Sequence, residues 1–240
     1  MTSLRSLAVR ALRRLSMPLV PAGKRLPWRY RLHILQGSLE SEVRYLHRLR
    51  MDGPVALDIG ANEGMYSYRL SQLVPRVHAF EPNEDLTTDL RAWNRDRVQI
   101  HHTALSSDAG TATLYVPLLS GRPLVGWGSL VNEDIPGTGD RIEKTVRMKA
   151  LDSYELNGVS FVKIDVEGYE LELLKGAART IERNRPVVMI EVRERNLTEV
   201  RAWFERFSYV HLRPIDLLGV DGTPENHFFV PSERAGRKNV

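Results

Sequence analysis

The period of hydrophobic and polar positions changes near residue 50. Before that point Leu4, Leu7, Ala8, Ala11, Leu12 and Leu15 recur at three- and four-residue steps, one stripe of a helix, with Arg5, Arg10, Arg13 and Arg14 largely off it. Pro18, Pro21, Gly23 and Pro27 then predict a hinge-like break, followed by a second helix over residues 37–50. From Pro54 onward, short apolar runs alternate with helical spacing. Residues 55–59, 76–81, 97–102, 161–165 and 187–192 read as strands. Helices are predicted from about 60 to 73, up to about 94, over 170–185 and over 197–207. Alternation at 111–116 and 144–149 predicts further β structure, and the runs at 209–212 and 227–231 suit a closing hairpin. Between them, residues 117–143 hold Gly121, Gly126, Gly128, Gly137 and Gly139 with Pro117, Pro123 and Pro136. A stretch so long and so rich in breakers is a candidate substrate loop or lid.

Alternating strand and helix with short connections predicts an α/β fold, a doubly wound, mainly parallel sheet over residues 51–240, with 1–50 as a basic helical extension. Ligands of such sheets sit at the carboxyl ends of the strands. The positions that close the strands are Asp58/Gly60, Glu81, His102/Ala104, Asp165 and Glu191, all polar or turn-forming.

Composition narrows the classes. With 42% hydrophobic residues the 240-residue chain can build a core, and with no cysteine it holds no disulfide, thiolate nucleophile or Cys-based metal centre. No uncharged apolar run approaches the roughly 18 residues of a spanning helix. Pro18, Pro21 and Gly23 make residues 15–23 a poor signal-peptide core, so the expectation is a soluble cytoplasmic protein. The net charge of +4 hides an asymmetry: residues 1–50 hold eleven Lys or Arg against Glu40 and Glu42, a net +9, and the remainder carries −5. A basic footprint spread over the whole domain is absent, which argues against nucleic acid as partner. The basic segment itself suits a cover for its own domain, a homodimer arm, or peripheral membrane contact through residues 1–35.

The strongest local chemistry begins at Asp58-Ile59-Gly60-Ala61-Asn62-Glu63-Gly64, which follows a strand and opens a helix. Gly60 permits a tight turn and Gly64 a close backbone approach. Glu81 ends the next strand 23 residues after Asp58, where a carboxylate can accept hydrogen bonds from two ribose hydroxyls. A dinucleotide loop of the form G-x-G-x-x-G would need a second glycine two residues after Gly60, but Asn62 stands there, and Asp58 would repel a pyrophosphate. An acid at that point suits an adenosyl ligand carrying an ammonium or a sulfonium. The Y-x-x-x-K tetrad of short-chain dehydrogenases and the N-P-P-Y tetrad of amino-methylating enzymes are both missing.

Leu57 to Asn62 with Gly64, Ala79-Phe80-Glu81-Pro82-Asn83, Ala104-Leu105-Ser106 with Gly110, and Val162-Lys163-Ile164-Asp165-Val166-Glu167-Gly168-Tyr169-Glu170 followed by Leu174-Lys175-Gly176-Ala177 come in this order. Together they resemble the FkbM family of S-adenosylmethionine-dependent O-methyltransferases, over roughly residues 40–192. Glu63 departs from the family, where an apolar residue is common. The resemblance implies a class I methyltransferase fold, with strand order 3-2-1-4-5-7-6 and strand 7 antiparallel. It also implies that Asp58, Gly60, Asn62 and Gly64, with Ala61 beside them, cradle the methionine part of S-adenosylmethionine. Glu81, followed by Pro82, would bind the ribose, and Ala104 and Leu105 would flank the adenine.

Asp165 and Glu191 end strands that this fold makes neighbours, so both carboxylates would face one crevice. They could hold a divalent ion, magnesium rather than zinc given oxygen donors alone, or one could remove the acceptor's proton directly. Asp165 could equally orient the ammonium of the methionine part, and Glu191 could pair with Arg193, Lys163 or Arg195. Glu167 is a further catalytic candidate, with backbone bonding at the following helix start as its alternative. The acceptor expected is a hydroxyl of a sugar in a saccharide or glycoconjugate. A polyketide or lipid-type acceptor, an NAD(P)-dependent oxidoreductase and a non-enzymatic membrane-surface module are the alternatives. His102 could reach the crevice, with His101 facing away. Trp127, flanked by glycines, could stack on a sugar ring or plug its own loop onto the core.

Overall fold

A computed structural model of the chain describes residues 16–94, 96–119, 122–123, 128–131 and 140–236. The amphipathic stripe of residues 4–15, Trp127 and most of the 117–143 segment lie outside these residues.

Seven strands form the main sheet: β1 (Val55–Ile59), β2 (Arg76–Phe80), β3 (Val98–His101), β8 (Val159–Ile164), β9 (Val187–Glu191), β10 (Tyr209–Leu212) and β11 (Asn226–Pro231). They lie in the order β10-β11-β9-β8-β1-β2-β3. Counted in chain order within this sheet, that is 3-2-1-4-5-7-6, the order expected. β11 runs antiparallel to both β9 and β10, and Tyr209 faces Pro231 across the closing pair. The remaining pairs are parallel, so β1, β2 and β8 finish at one edge. A second sheet, β4 (Ala104–Leu105), β7 (Arg141–Lys149), β5 (Gly110–Leu119) and β6 (Arg122–Pro123), stands over that edge.

Strand alternation divides the core. Val55, Leu57 and Ile59 face one side of the sheet with Val162, Ile164, Val188 and Ile190. There they meet Leu173 and Leu174 of α5 (Glu170–Lys175), Ile181 of α6 (Ala178–Asn184) and Phe204 of α7 (Glu194–Glu205). Ala56, Phe161, Val187 and Met189 face the other side and meet Tyr66 and Leu70 of α3 (Met65–Leu70) and Leu90 of α4 (Thr88–Trp93).

Three sequence expectations change. The hinge expected around Pro18–Pro27 is instead largely a 15-residue helix, α1 (Ala22–Gln36), with Pro27 inside it. Leu26, Tyr30, Val43 and Leu46 belong to the core on the α3 side, so the segment from Ala22 through α2 (Ser41–Tyr45) packs on the sheet. Gly23 is tolerated because a Cβ there would stand 3.1 Å from the Ala92 carbonyl oxygen, a close approach of α1 to α4. The single helix expected over 170–185 is two, broken at Gly176, where a Cβ would fall 2.0 Å from the Ser106 carbonyl oxygen. Asp152 restarts it by accepting from the Thr180 and Arg179 amides at 2.7 and 3.0 Å. Finally, α8 (Pro214–Leu218) lies between the two closing strands and was not anticipated.

Candidate active site

A cleft of about 730 Å3, its open mouth included, lies at the carboxyl ends of β1, β2 and β8. Gly60 shapes its floor. Its φ is +74°, and a Cβ would fall 1.7 Å from the Asp165 carbonyl oxygen, so the loop after β1 can lie against the end of β8 through glycine alone. The Asp165 amide closes the contact by donating to the Ile59 carbonyl at 3.0 Å.

Glu81 enters the cleft from the end of β2, only 6% exposed. The Asn62 amide donates to its Oε2 at 2.9 Å and the Asn83 amide to its Oε1 at 2.8 Å, which fixes the carboxylate plane. Burial pushes its pKa from 4.5 up to about 7, with those two amides pulling the other way. Thr103, Ala104 and Leu105 line the far end, with Phe80 and Leu86. The second sheet forms the opposite wall through Leu114 and Val116 of β5, joined by Gly128 and Leu130. Two anchors hold that wall. Lys144 Nζ donates to Asn83 Oδ1 at 2.9 Å and pairs with Asp85 at 2.5 Å, and Ser129 Oγ donates to the Glu167 carbonyl at 2.7 Å.

Not every sequence candidate reaches the cleft. Gly60, Asn62, Glu81, Pro82, Ala104, Leu105, Asp165 and Glu167 line it; Asp58, Ala61, Gly64 and Glu191 are not among its lining residues. Asp58 shares the parity of Ala56 and is fully buried, accepting from Ser67 Oγ at 2.5 Å. Burial raises its pKa, opposed by Lys163 and the Ser67 hydroxyl. Gly64 serves packing: with φ +84°, a Cβ there would press on the Leu90 side chain at 3.0 Å.

Lys163, which the sequence offered only as an ion-pair partner for Glu191, is the hub beneath the loop. Only 4% exposed, it donates to the Gly60 carbonyl at 2.9 Å and to Asp165 Oδ2 at 3.1 Å, with Asp58 Oδ1 at 3.9 Å. Burial opposes its charge, but Asp165, Asp58 and Glu40 overcome that and raise its pKa. The signal available in sequence was a lysine two residues before Asp165 in the otherwise apolar run from Phe161 to Ile164.

Asp165, Glu167 and Glu191 converge, one carboxylate oxygen of each lying within 4.8 Å of the others. Sequence paired Asp165 with Glu191 and held Glu167 apart as catalyst or helix cap. The structure brings Glu167 in, with its Oε2 3.2 Å from Arg193 Nη2, while Glu170 takes the backbone bond at the turn by accepting from the Gly168 amide at 2.7 Å. Burial, then the Asp165 and Glu167 charges, push Glu191 up to about 8. Three carboxylates this close call for positive charge among them: a proton, a cationic ligand or a metal ion. The set is all oxygen and suits a hard divalent ion.

The histidines take no part in the cleft lining. His101 stacks on Phe80 at 4.5 Å and lies 3.0 Å from His78, and burial and the neighbouring His78 bring its pKa down to about 4. His102 keeps a buried Nδ1 that has no hydrogen-bond partner among the described residues. His211 and His227, without partners in sequence, meet each other at 3.0 Å.

The strand order, the glycine turn and the strand-end acids define a class I methyltransferase fold with its cleft in the usual place for that sheet. Residues 58–211 match the model of the Methyltransferase FkbM domain, and the chain belongs to that family. Over 159 residues it is 30% identical to the hexuronic acid methyltransferase AglP of Haloferax volcanii, covering 64% of this chain and 62% of that protein. It also resembles the crystal structure of Methyltransferase FkbM from Methylobacillus flagellatus KT, with a TM-score of 0.51 and 19% identity over 87% of this chain and 58% of that one. The matches thus span less than two thirds of either relative.

Proposed function

We propose that the protein is an S-adenosylmethionine-dependent O-methyltransferase acting on a hydroxyl of a sugar within a saccharide or glycoconjugate. The observation that carries the donor assignment is Glu81: a buried carboxylate, its plane fixed by two amides, in one cleft with Gly60, Asn62 and Asp165. Ribose hydroxyls can donate to it while the apolar wall of Leu105, Leu114 and Val116 takes the adenine face. The donor supplies a methyl group on a sulfonium that is already a good leaving group. What remains for the chain is to place the acceptor oxygen in line and to take its proton.

Asp165, Glu167 and Glu191 serve both needs, since their negative field favours a cationic donor and a carboxylate oxygen can accept the hydroxyl proton. The same three residues would hold a magnesium ion, which would lower the acceptor hydroxyl's pKa. The sugar assignment is supported by the relative named for a hexuronic acid. Family membership sets aside the oxidoreductase alternative.

Glu81→Ala tests the donor assignment: S-adenosylhomocysteine affinity by calorimetry is expected to fall at least about tenfold, as for loss of a charged hydrogen-bond acceptor. Unchanged affinity would refute it. Transfer of labelled methyl from S-adenosylmethionine to a panel of saccharides and lipids tests the acceptor, and methylation of lipids alone would overturn the sugar reading.

A further inference from the structure

Among the described residues, the basic N-terminal segment takes no part in lining the cleft, and the inner face of α1 is spent on the core. Its outer face carries a different pattern. Lys24, Trp28, Arg31 and Leu35 follow one another at four, three and four residues, a single stripe opposite Leu26, Arg29 and Tyr30. Lys24 and Arg31 are exposed and make no ion pair among the described residues, and Trp28 is half-buried. The turn preceding the helix folds back beside this stripe, since Trp28 Nε1 donates to Ser16 Oγ at 3.0 Å and Arg25 Nε to the Val20 carbonyl at 3.1 Å. That turn presents Leu19, 84% exposed, and the helix presents Leu35, 51% exposed, the two most exposed large aliphatic side chains described. Charge is one-sided as well: residues 1–39 contain eight Lys or Arg and no acid.

We propose that this outer face of α1, with Leu19 beside it, docks on an anionic lipid bilayer. Lone leucines and a tryptophan set among unpaired cations make a poor protein interface, because they offer no continuous apolar patch to bury. The same set fits the boundary between headgroups and acyl chains, where tryptophan and leucine enter and lysine and arginine reach the phosphates. No helix among the described residues is long and apolar enough to cross a membrane, so the contact is peripheral. The face is unsuited to nucleic acid, having one half-buried aromatic on a single helix and no groove for stacked bases.

The test is co-sedimentation of the full chain with phosphatidylcholine vesicles, with and without phosphatidylglycerol. Binding is expected only with phosphatidylglycerol, with release at high salt. Lys24→Glu with Arg31→Glu is expected to lower vesicle partition by at least about tenfold, and Leu19→Ser with Leu35→Ser also to weaken it. Both pairs should leave S-adenosylhomocysteine affinity and Tm unchanged, because all four side chains are exposed and outside the cleft. Absence of sedimentation with phosphatidylglycerol overturns the proposal, as does equal binding to pure phosphatidylcholine or binding that the charge-reversed chain keeps. A dimer seen by light scattering that the charge reversal splits, without vesicle binding, would reassign the face to a second copy and overturn it too.

Discussion

Arg29 joins the N-terminal helix to the loop that shapes the cleft, and its removal has a calculable cost. Its side chain is 9% exposed and lies between Asp89 of α4, 12% exposed, and Glu63, 34% exposed, at 2.7 Å from the latter. Glu63 is the residue that departs from the family, and it immediately follows Asn62, whose amide holds Glu81. Arg29→Met keeps the apolar stem and deletes the charge, stranding Asp89 nearly buried and Glu63 beside it. Removing one partner of a buried pair costs about 3–5 kcal/mol. The Glu63 arm is a third exposed and adds at most about 1 kcal/mol. Arg29 Nε is already buried without a partner among the described residues, which lowers what the native arrangement has to lose. About 2–3 kcal/mol is therefore expected, roughly 4–12 °C in Tm for a domain of this size. Urea unfolding of the single variants Arg29→Met and Asp89→Asn and of the double variant closes a mutant cycle, in which the double variant should recover at least about 1 kcal/mol of the summed loss. S-adenosylhomocysteine affinity should fall with Arg29→Met, because Glu63 loses its anchor next to Asn62. A change within about 0.5 kcal/mol, or strict additivity, would refute the reasoning.

Glu81 also sets a pH dependence. Its pKa, raised from 4.5 to about 7 by burial, means that the folded protein holds a proton between those values that the unfolded chain releases. Its contribution to stability is therefore full below about 4.5 and is lost as pH rises towards 7, while the ribose binding proposed for Glu81 needs the ionised form and is expected to weaken below about 7. Titrating S-adenosylhomocysteine affinity from acid to neutral pH in wild type and in Glu81→Gln checks this, and equal pH slopes in the two would count against it. Gly176→Ala is expected to destabilise by several kcal/mol or to block folding, since the added Cβ meets the Ser106 carbonyl oxygen at 2.0 Å; a Tm equal to wild type would contradict the helix break. Glu191→Gln should reduce methyl transfer about a hundredfold or more while sparing S-adenosylhomocysteine affinity, as Glu191 lies outside the cleft lining. Full activity would remove it from the site, and chelation by EDTA tells the two arrangements apart, since only the metal-holding one stops and recovers with magnesium.

Much of the sheet is legible in the chain. Val55-Ala56-Leu57 and Phe161-Val162 are apolar on both faces because helices cover both sides, and an uninterrupted apolar run between turn residues says strand without tertiary knowledge. Glu81 is legible for a similar reason: a strand-end acid at a set distance from a glycine turn has few structural uses. α1 was not legible, since Pro27 and Gly23 speak for a break when judged locally. Packing of Leu26 and Tyr30 on the sheet and the close approach at Ala92 outweigh that local preference.

The positions of the main-sheet strands, the glycine turn, and the acids at the strand ends were thus determined by the sequence alone, because they depend on neighbours one to four residues away, whereas the order of the strands in the sheet came only with the family resemblance. Which acids share a space was a matter for the tertiary structure. Strand parity turned Asp58 inward towards Ser67 and Lys163, and the left-handed turn at Glu167, φ +51°, carried its carboxylate to Asp165 and Glu191. Lys163 and Arg29 acquire their meaning in the same way. A charge is tolerated in the interior only where distant segments bring it a partner, and sequence spacing does not record that meeting.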